Sequence, residues 1–258
     1  MYTHLAAETK AVDQLVAGLD AAGLETSTPA EGWTVAHQVG HLSFIFRLAG
    51  AAASDPEAFA AMTAGAQQDF DAAIDKALQE YLNETPEQLI SRWREESADA
   101  IKALADVPAD QPVVPWLVRP LPPAVLACAG MMELIGHGQD IADGLGVRRE
   151  LTDRIKWVCG FAVQVWDFGY LARGETPPDT AFRFELTAPS GDLWTFGPDD
   201  ATQRITGPAA DFCLLVTRRR HRADLALSAT GQDADHWLDI AQAYRGSPGP
   251  GRAPGQFA

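Results

Sequence analysis

Glu133 and His137 stand four residues apart in the stretch MMELIGHGQDIADGLG (Met131–Gly146), a spacing that puts both side chains on one face of a helix. Asp140, three residues on, joins the same stripe. A carboxylate and an imidazole turned together into a core are costly to bury unless something binds them. A divalent metal is the expected binder. The expected third ligand is His41, in the earlier segment GWTVAHQVGHL. Two imidazoles and a carboxylate form a common three-ligand set that leaves coordination positions open for water or substrate. His37, four residues before His41, is a competing ligand or a partner behind the ligands. Asp140 either accepts the spare N–H of His137, fixing its tautomer, or acts as an acid or base. Taken alone, E-x-x-x-H is more often an exposed pair, and a single histidine on an amphipathic helix is more often packed or solvated. No H-E-x-x-H, G-x-S-x-G, P-loop or G-x-G-x-x-G motif is present.

The elements that must position these residues follow from periodicity. Leu5, Val12, Leu15, Val16 and Leu19 predict a helix from Thr3 to Leu24. After the polar turn segment ETSTPAEGW, Thr34 caps a helix to about Ala53 with Val35, Val39, Leu42 and Phe46 on one side. A third helical region runs from Asp55–Pro56 to about Tyr81, and a fourth spans Glu87–Leu104. The proline-rich Val107–Pro123 is a connection, with Trp116 either packed for stability or edging a cavity. The proposed metal helix is Ala124–Leu145, its glycines (Gly130, Gly136, Gly138, Gly144) admitting the close approach of a helix or a ligand. A fifth long helix covers Asp153–Arg173. The period then changes from 3.6 to 2: FRFELTA (182–188) reads as a strand, followed by strands at Leu193–Phe196 and Gln203–Thr206. A helix from Pro208 to about Arg218, a strand at Asp224–Ser228 and a helix at Asp233–Tyr244 complete the pattern. The expected domains are therefore a helical bundle over 1–150, a long connecting helix over 151–175, a small α/β domain over 176–245 and a flexible Gly/Pro tail over 246–258.

Composition narrows the function. The 258 residues carry a net charge of −15, unevenly spread: residues 1–150 hold 9 Lys/Arg against 22 Asp/Glu, residues 151–258 hold 11 against 13. An acidic surface argues against nucleic acid as partner, since phosphate backbones need a basic face. No apolar run approaches a membrane span, and the N-terminus lacks the basic-then-apolar pattern of a signal peptide. Cys128, Cys159 and Cys213 are odd in number and far apart, which fits a reducing cytoplasm and gives no disulfide framework. The run Arg218-Arg219-Arg220-His221-Arg222 stands at a helix end, where cations are favoured; one of its arginines could also hold a substrate carboxylate bidentately.

Taken together, W-T-V-x-x-x-x-x-H-L at Trp33–Leu42 and E-x-x-x-H-G-x-D-I-A-x-x-L-G at Glu133–Gly146 resemble the DinB-like superfamily, specifically the mycothiol-dependent maleylpyruvate isomerase family. The resemblance covers the first 150 residues. Residues 176–245 look like the smaller α/β domain of the same family, related in shape to sterol-carrier domains. The resemblance implies an α+β protein: a four-helix bundle holding zinc or another divalent metal through His41, Glu133 and His137, with a cavity against the C-terminal domain. It also implies a low-molecular-weight thiol, mycothiol, as cosubstrate, its thiolate adding to the double bond of a small unsaturated carboxylate for isomerisation or S-transfer. The family's catalytic arginine falls on Arg219, with Asp140 as the other catalytic candidate. His37 stands where many relatives have Asp. Two further readings remain open: metal-assisted hydrolysis, isomerisation or cyclisation without mycothiol, and non-catalytic metal or ligand binding. A small molecule is the expected partner, with the chain a monomer or homodimer.

Overall fold

The computed structural model describes the backbone of residues 1–64, 70–117 and 119–257, and the side chains of all of these but 70–73. The chain divides into two compact units, Met1–Arg149 and Glu150–Ala258.

In the first unit the helices are α1 (Tyr2–Val16), α2 (Ala21–Leu24), α3 (Val35–Ser54), α4 (Pro56–Met62), α5 (Phe70–Leu82), α6 (Pro86–Asp106) and α7 (Pro123–Gly144). Four long ones pack as a bundle: α3 lies against α6 and α7, and α1 against the same two. The apolar stripes read from the sequence form its core, with Leu5, Val12, Leu42, Phe46, Trp93, Met131, Leu134 and Ile135 all buried. Gly50 sets how closely α3 and α6 approach, because a Cβ there would meet Ala100 Cα at 3.2 Å. The first expected helix ends early, at Val16. Asp20 starts a separate short helix by accepting from the Gly23 N–H at 2.9 Å. Of the region expected to be helical from Asp55 to Tyr81, α4 and α5 are its described parts; residues 65–69 lie outside the described residues. Trp116 stacks on Phe59 with ring centroids 5.9 Å apart, and a backbone pairing of Val114 with Leu121 closes the proline-rich connection on itself.

The α7 glycines differ in purpose. At Gly138 a Cβ would lie 2.6 Å from the Arg149 guanidinium. Arg149 uses that space to donate to the Leu134 and Ile135 carbonyls, at 3.1 and 2.9 Å, and to Glu8 of α1 at 2.6 Å. Its side chain is 5% exposed and that of Glu8 is 4%. A buried arginine thus clamps α1 to the middle of α7.

In the second unit, the expected helix over Asp153–Arg173 is broken. A single 3-10 turn (Asp153–Ile155) leads into α8 (Lys156–Gln164), and α9 (Phe168–Leu171) follows separately. The Trp166 carbonyl is turned out to accept from Trp237 Nε1–H at 2.8 Å, and Gly169 lies against the Ile240 carbonyl, where a Cβ would sit 2.2 Å from its oxygen. Tertiary contacts, not a helix-breaking residue, interrupt the pattern. The strands β1 (Phe182–Thr187), β2 (Leu193–Phe196), β3 (Gln203–Pro208) and β4 (Ser228–Thr230) form one mixed sheet in the order β2-β1-β3-β4, with β1 and β3 parallel. Helices α10 (Ala209–Val216) and α11 (Gln232–Ile240) pack beside it. Phe182, Phe184 and Leu186 are the buried alternate positions of β1, and Phe184 meets Phe212 and Trp237 edge-on. The last strand lies at 228–230 rather than 224–228, because His221 Nδ1 accepts from Ala223 N–H and coils Arg222–Asp224 into a 3-10 turn. The Gly/Pro tail, expected to be flexible, lies in irregular coil with defined contacts: Gly255 N–H donates to Asp224, and Arg220 sits over the Phe257 ring at 4.3 Å. Among the described residues no helix is long and apolar enough to cross a membrane.

Replacing Arg149 by Ala removes the buried guanidinium that pairs with Glu8, with an expected cost of about 3–5 kcal/mol in urea unfolding. The pair Arg149→Met with Glu8→Leu is expected to cost much less. A single-substitution loss no larger than that of the pair would contradict the clamp.

Candidate metal centre

The entry to α3 prepares one wall of the site. Residues 26–35 fold back on themselves, with Thr28 N–H donating to the Trp33 carbonyl at 2.8 Å and Val35 N–H to the Thr26 carbonyl at 2.9 Å. Gly32 supplies the turn with φ +76°. Thr34 then caps the helix in an unusual box: its backbone N–H and hydroxyl both meet His37 Nδ1, at 3.3 and 2.8 Å. An Nδ1 that accepts an N–H carries no proton, so the proton of the neutral ring is on Nε2. His37 is therefore built into the cap rather than the ligand set. Burial lowers its pKa below the usual histidine value, with the Asp75 charge working in the other direction.

One turn along α3, His41 faces α7. Its Nε2 lies 3.7 Å from Glu133 Oε2, and His137 Nε2 lies 3.2 Å from the same oxygen. The ligand atoms of His41, Glu133 and His137 all fall within 4.8 Å of one another. Side-chain exposures of 12%, 21% and 14% leave the group recessed but reachable from solvent. Burial by itself would raise the Glu133 carboxyl; the hydrogen bonds and charges of His137 and His41 outweigh it and hold the group well below the ordinary carboxylate range.

A relay of hydrogen bonds orients His137. The Trp33 carbonyl can only accept, and it takes the Thr28 hydroxyl at 2.9 Å. The Thr28 oxygen in turn accepts from Gln38 Nε2 at 2.9 Å, which leaves Gln38 Oε1 facing His137 Nδ1 at 2.6 Å. That nitrogen carries a proton, so Nε2 is the atom turned to Glu133 and His41: in the charged ring it donates to Glu133, and in the neutral ring it is the lone pair that could ligate a metal. Trp33 covers the group, its ring 5.4 Å from His41 and 5.9 Å from His137. His41 Nδ1 is buried without a hydrogen-bond partner among the described residues. Two imidazoles and an ionised carboxylate crowded in this way suit a divalent cation in charge, donor type and number.

The sequence expectations are met unevenly. His41, Glu133 and His137 converge. Asp140 is fully buried and stands outside the convergent group. Gln38 takes the place behind His137 for which Asp140 was a candidate. Arg219 belongs to the second unit, where its Nη1 donates to the Thr217 carbonyl at 2.6 Å. Gln38, Thr28 and Trp33 were missed. The available signal was a glutamine on the same helix as His41, there fully buried.

Fold and site together define a helical-bundle protein with a candidate metal centre and a small mixed-sheet second unit. The chain belongs to the mycothiol maleylpyruvate isomerase family: residues 5–142 match the family model described as the mycothiol maleylpyruvate isomerase N-terminal domain. Residues 178–230 match a second family model, described as wyosine base formation. Two uncharacterised proteins of Mycobacterium tuberculosis, from strains CDC 1551 / Oshkosh and ATCC 25618 / H37Rv, are each 42% identical over 248 residues, covering 96% of both chains. The fold is similar to crystal structures of the mycothiol-dependent maleylpyruvate isomerase. For its histidine-to-alanine mutant the TM-score is 0.59 at 15% identity, covering 88% of this chain and 90% of that one. For another crystal structure of that isomerase it is 0.53 at 15% identity, covering 83% and 86%.

In chelator-treated protein, Glu133→Gln is expected to be less stable than wild type at pH 7. A depressed carboxylate stabilises the fold above its unfolded pKa of about 4.5, and that stabilisation fades as pH falls below it. The gap should therefore hold from pH 7 to about pH 5 and narrow in unfolding curves taken from there down to pH 3. A pH-independent gap would contradict an ionised Glu133.

Proposed function

We propose that the chain is a metal-dependent enzyme that uses a low-molecular-weight thiol, mycothiol by family, to isomerise a small unsaturated carboxylate or to transfer sulfur to it. The observation that carries this reading is the convergence of His41, Glu133 and His137, with the His137 lone pair aimed by the Gln38–Thr28–Trp33 relay. A divalent metal held by these three residues, zinc being best suited to the donor set, would favour a bound thiol as its nucleophilic thiolate. Gln38 keeps His137 in the ligating tautomer. Glu133 contributes the negative charge that selects a cation over a neutral occupant. Trp33 walls the group with an apolar ring and limits the water that reaches it. Asp140, with no exposed surface, serves as a positioning residue on the turn after His137. Arg219 is the arginine that the family resemblance selects for the substrate carboxylate.

Purified protein is expected to hold about one equivalent of divalent metal by elemental analysis, with His41→Ala, Glu133→Ala and His137→Ala each losing it. Gln38→Leu should weaken metal affinity roughly 10–100-fold while the three ligands remain. Equal metal content in wild type and all three ligand variants would overturn the site. Isomerisation of a small cis-unsaturated carboxylate should require both the metal and the thiol, and Arg219→Ala should raise KM more than it lowers kcat. Turnover that needs the metal but is indifferent to thiol would move the chain to thiol-independent, metal-assisted chemistry.

A further inference from the structure

Cys159 and Cys213, far apart in sequence, meet inside the second unit. Cys159 stands on α8 and Cys213, 54 residues on, stands on α10. Their Sγ atoms lie 3.7 Å apart, so the two sulfurs touch and one S–H can donate to the other. Both residues are fully buried, and both are thiols. The Cys213 thiol also lies 3.9 Å from the Ile155 carbonyl, in the turn that leads into α8. The remaining cysteine, Cys128, belongs to the first unit, where it is half-buried with its sulfur 4.0 Å from that of Met1.

A buried cysteine is ordinarily a small apolar residue, and one on each helix would need no other account. Here two of the three cysteines in 258 residues are each other's neighbours across that sequence separation. Any small apolar side chain fills such a space, but only a pair of sulfurs can also become a covalent bond in it. A disulfide needs its sulfurs about 2.0 Å apart, and closing the gap from 3.7 Å takes a movement of less than about 1 Å by each.

We infer that Cys159 and Cys213 are a redox modification site, a dithiol that hydrogen peroxide converts to a disulfide joining α8 to α10. One thiol, as its thiolate, attacks a peroxide oxygen; the O–O bond breaks, hydroxide leaves and takes up a proton as water, and the sulfur becomes a sulfenic acid. The second sulfur then attacks the first, the S–O bond breaks, and the departing hydroxide takes the second thiol's proton as another water. Two thiols are oxidised by two electrons and one peroxide is reduced to two waters. Burial makes the reaction slow, with the oxidant admitted by local opening of these short helices. The bond would close a loop that contains α9 and the strands β1, β2 and β3, which stabilises the unit by restricting its unfolded chain. Nothing in this assignment depends on the metal ligands of the bundle or on the reaction proposed above.

The test treats the full chain with hydrogen peroxide in native buffer until Cys128 or the methionines are oxidised. The peroxide is quenched, and the chain is unfolded in an alkylating agent and digested for mass spectrometry. The Cys159 and Cys213 peptides are expected joined, two hydrogens lighter than the sum of their thiol forms and released by dithiothreitol, with Cys128 outside the bridge. The bridged protein should melt about 5 °C or more above the reduced protein. Cys159→Ala given the same treatment should show no such rise, which separates the bridge from oxidation elsewhere; the peptide map of the unaltered chain needs no variant to fold. Four results would overturn the assignment: alkylation of both Cys159 and Cys213, oxidation of either to a sulfinic acid in place of the bridge, a bridge that forms only once the chain is unfolded, and bridged protein that melts no higher than reduced.

Discussion

The first unit depends on placing one carboxylate between two imidazoles from different helices. Glu133 is recessed, ionised and faced by His41 from α3 and His137 from its own helix. Three groups that are acceptors in their ligating forms do not gather stably unless a positive charge sits among them, whether protons on the rings or a cation. The relay from the Trp33 carbonyl through Thr28 and Gln38 takes one proton position out of that choice by holding a proton on the outer nitrogen of His137. What remains is a pocket of lone pairs whose chemistry is set by what is bound there.

α7 carries this group on one side and a different charge problem on another. Beneath it, Arg149 and Glu8 are almost fully buried, and Arg149 also reaches two carbonyls in the middle of the helix. That approach is possible because position 138 has no side chain. The glycine next to His137 thus serves the scaffold. The clamp fixes α7 against α1 within the turn that carries Glu133 and His137. Rigid support behind the residues that contact a metal is what a precise coordination geometry requires.

The second unit is organised by aromatic packing. Phe184, Phe212 and Trp237 form one cluster, and Trp237 also draws out the Trp166 carbonyl and breaks the preceding helix. The cations that follow α10 lie beside the folded tail.

The sequence by itself determined the bundle helices, the change of period that marks the sheet, and the pairing of Glu133 with His137, because each follows from spacing along one chain segment. It also singled out His41, through the two-part motif. Only the tertiary structure decided that His37 belongs to a helix cap, that Gln38 rather than Asp140 backs His137, and that Gly138 makes room for Arg149. It likewise decided that the helix expected over Asp153–Arg173 breaks at Trp166, through a bond to an indole 71 residues away. The division has a physical reason. Periodicity reports which face a residue occupies, whereas the partner of a buried polar atom is chosen by whichever distant group packing brings within about 3 Å of it.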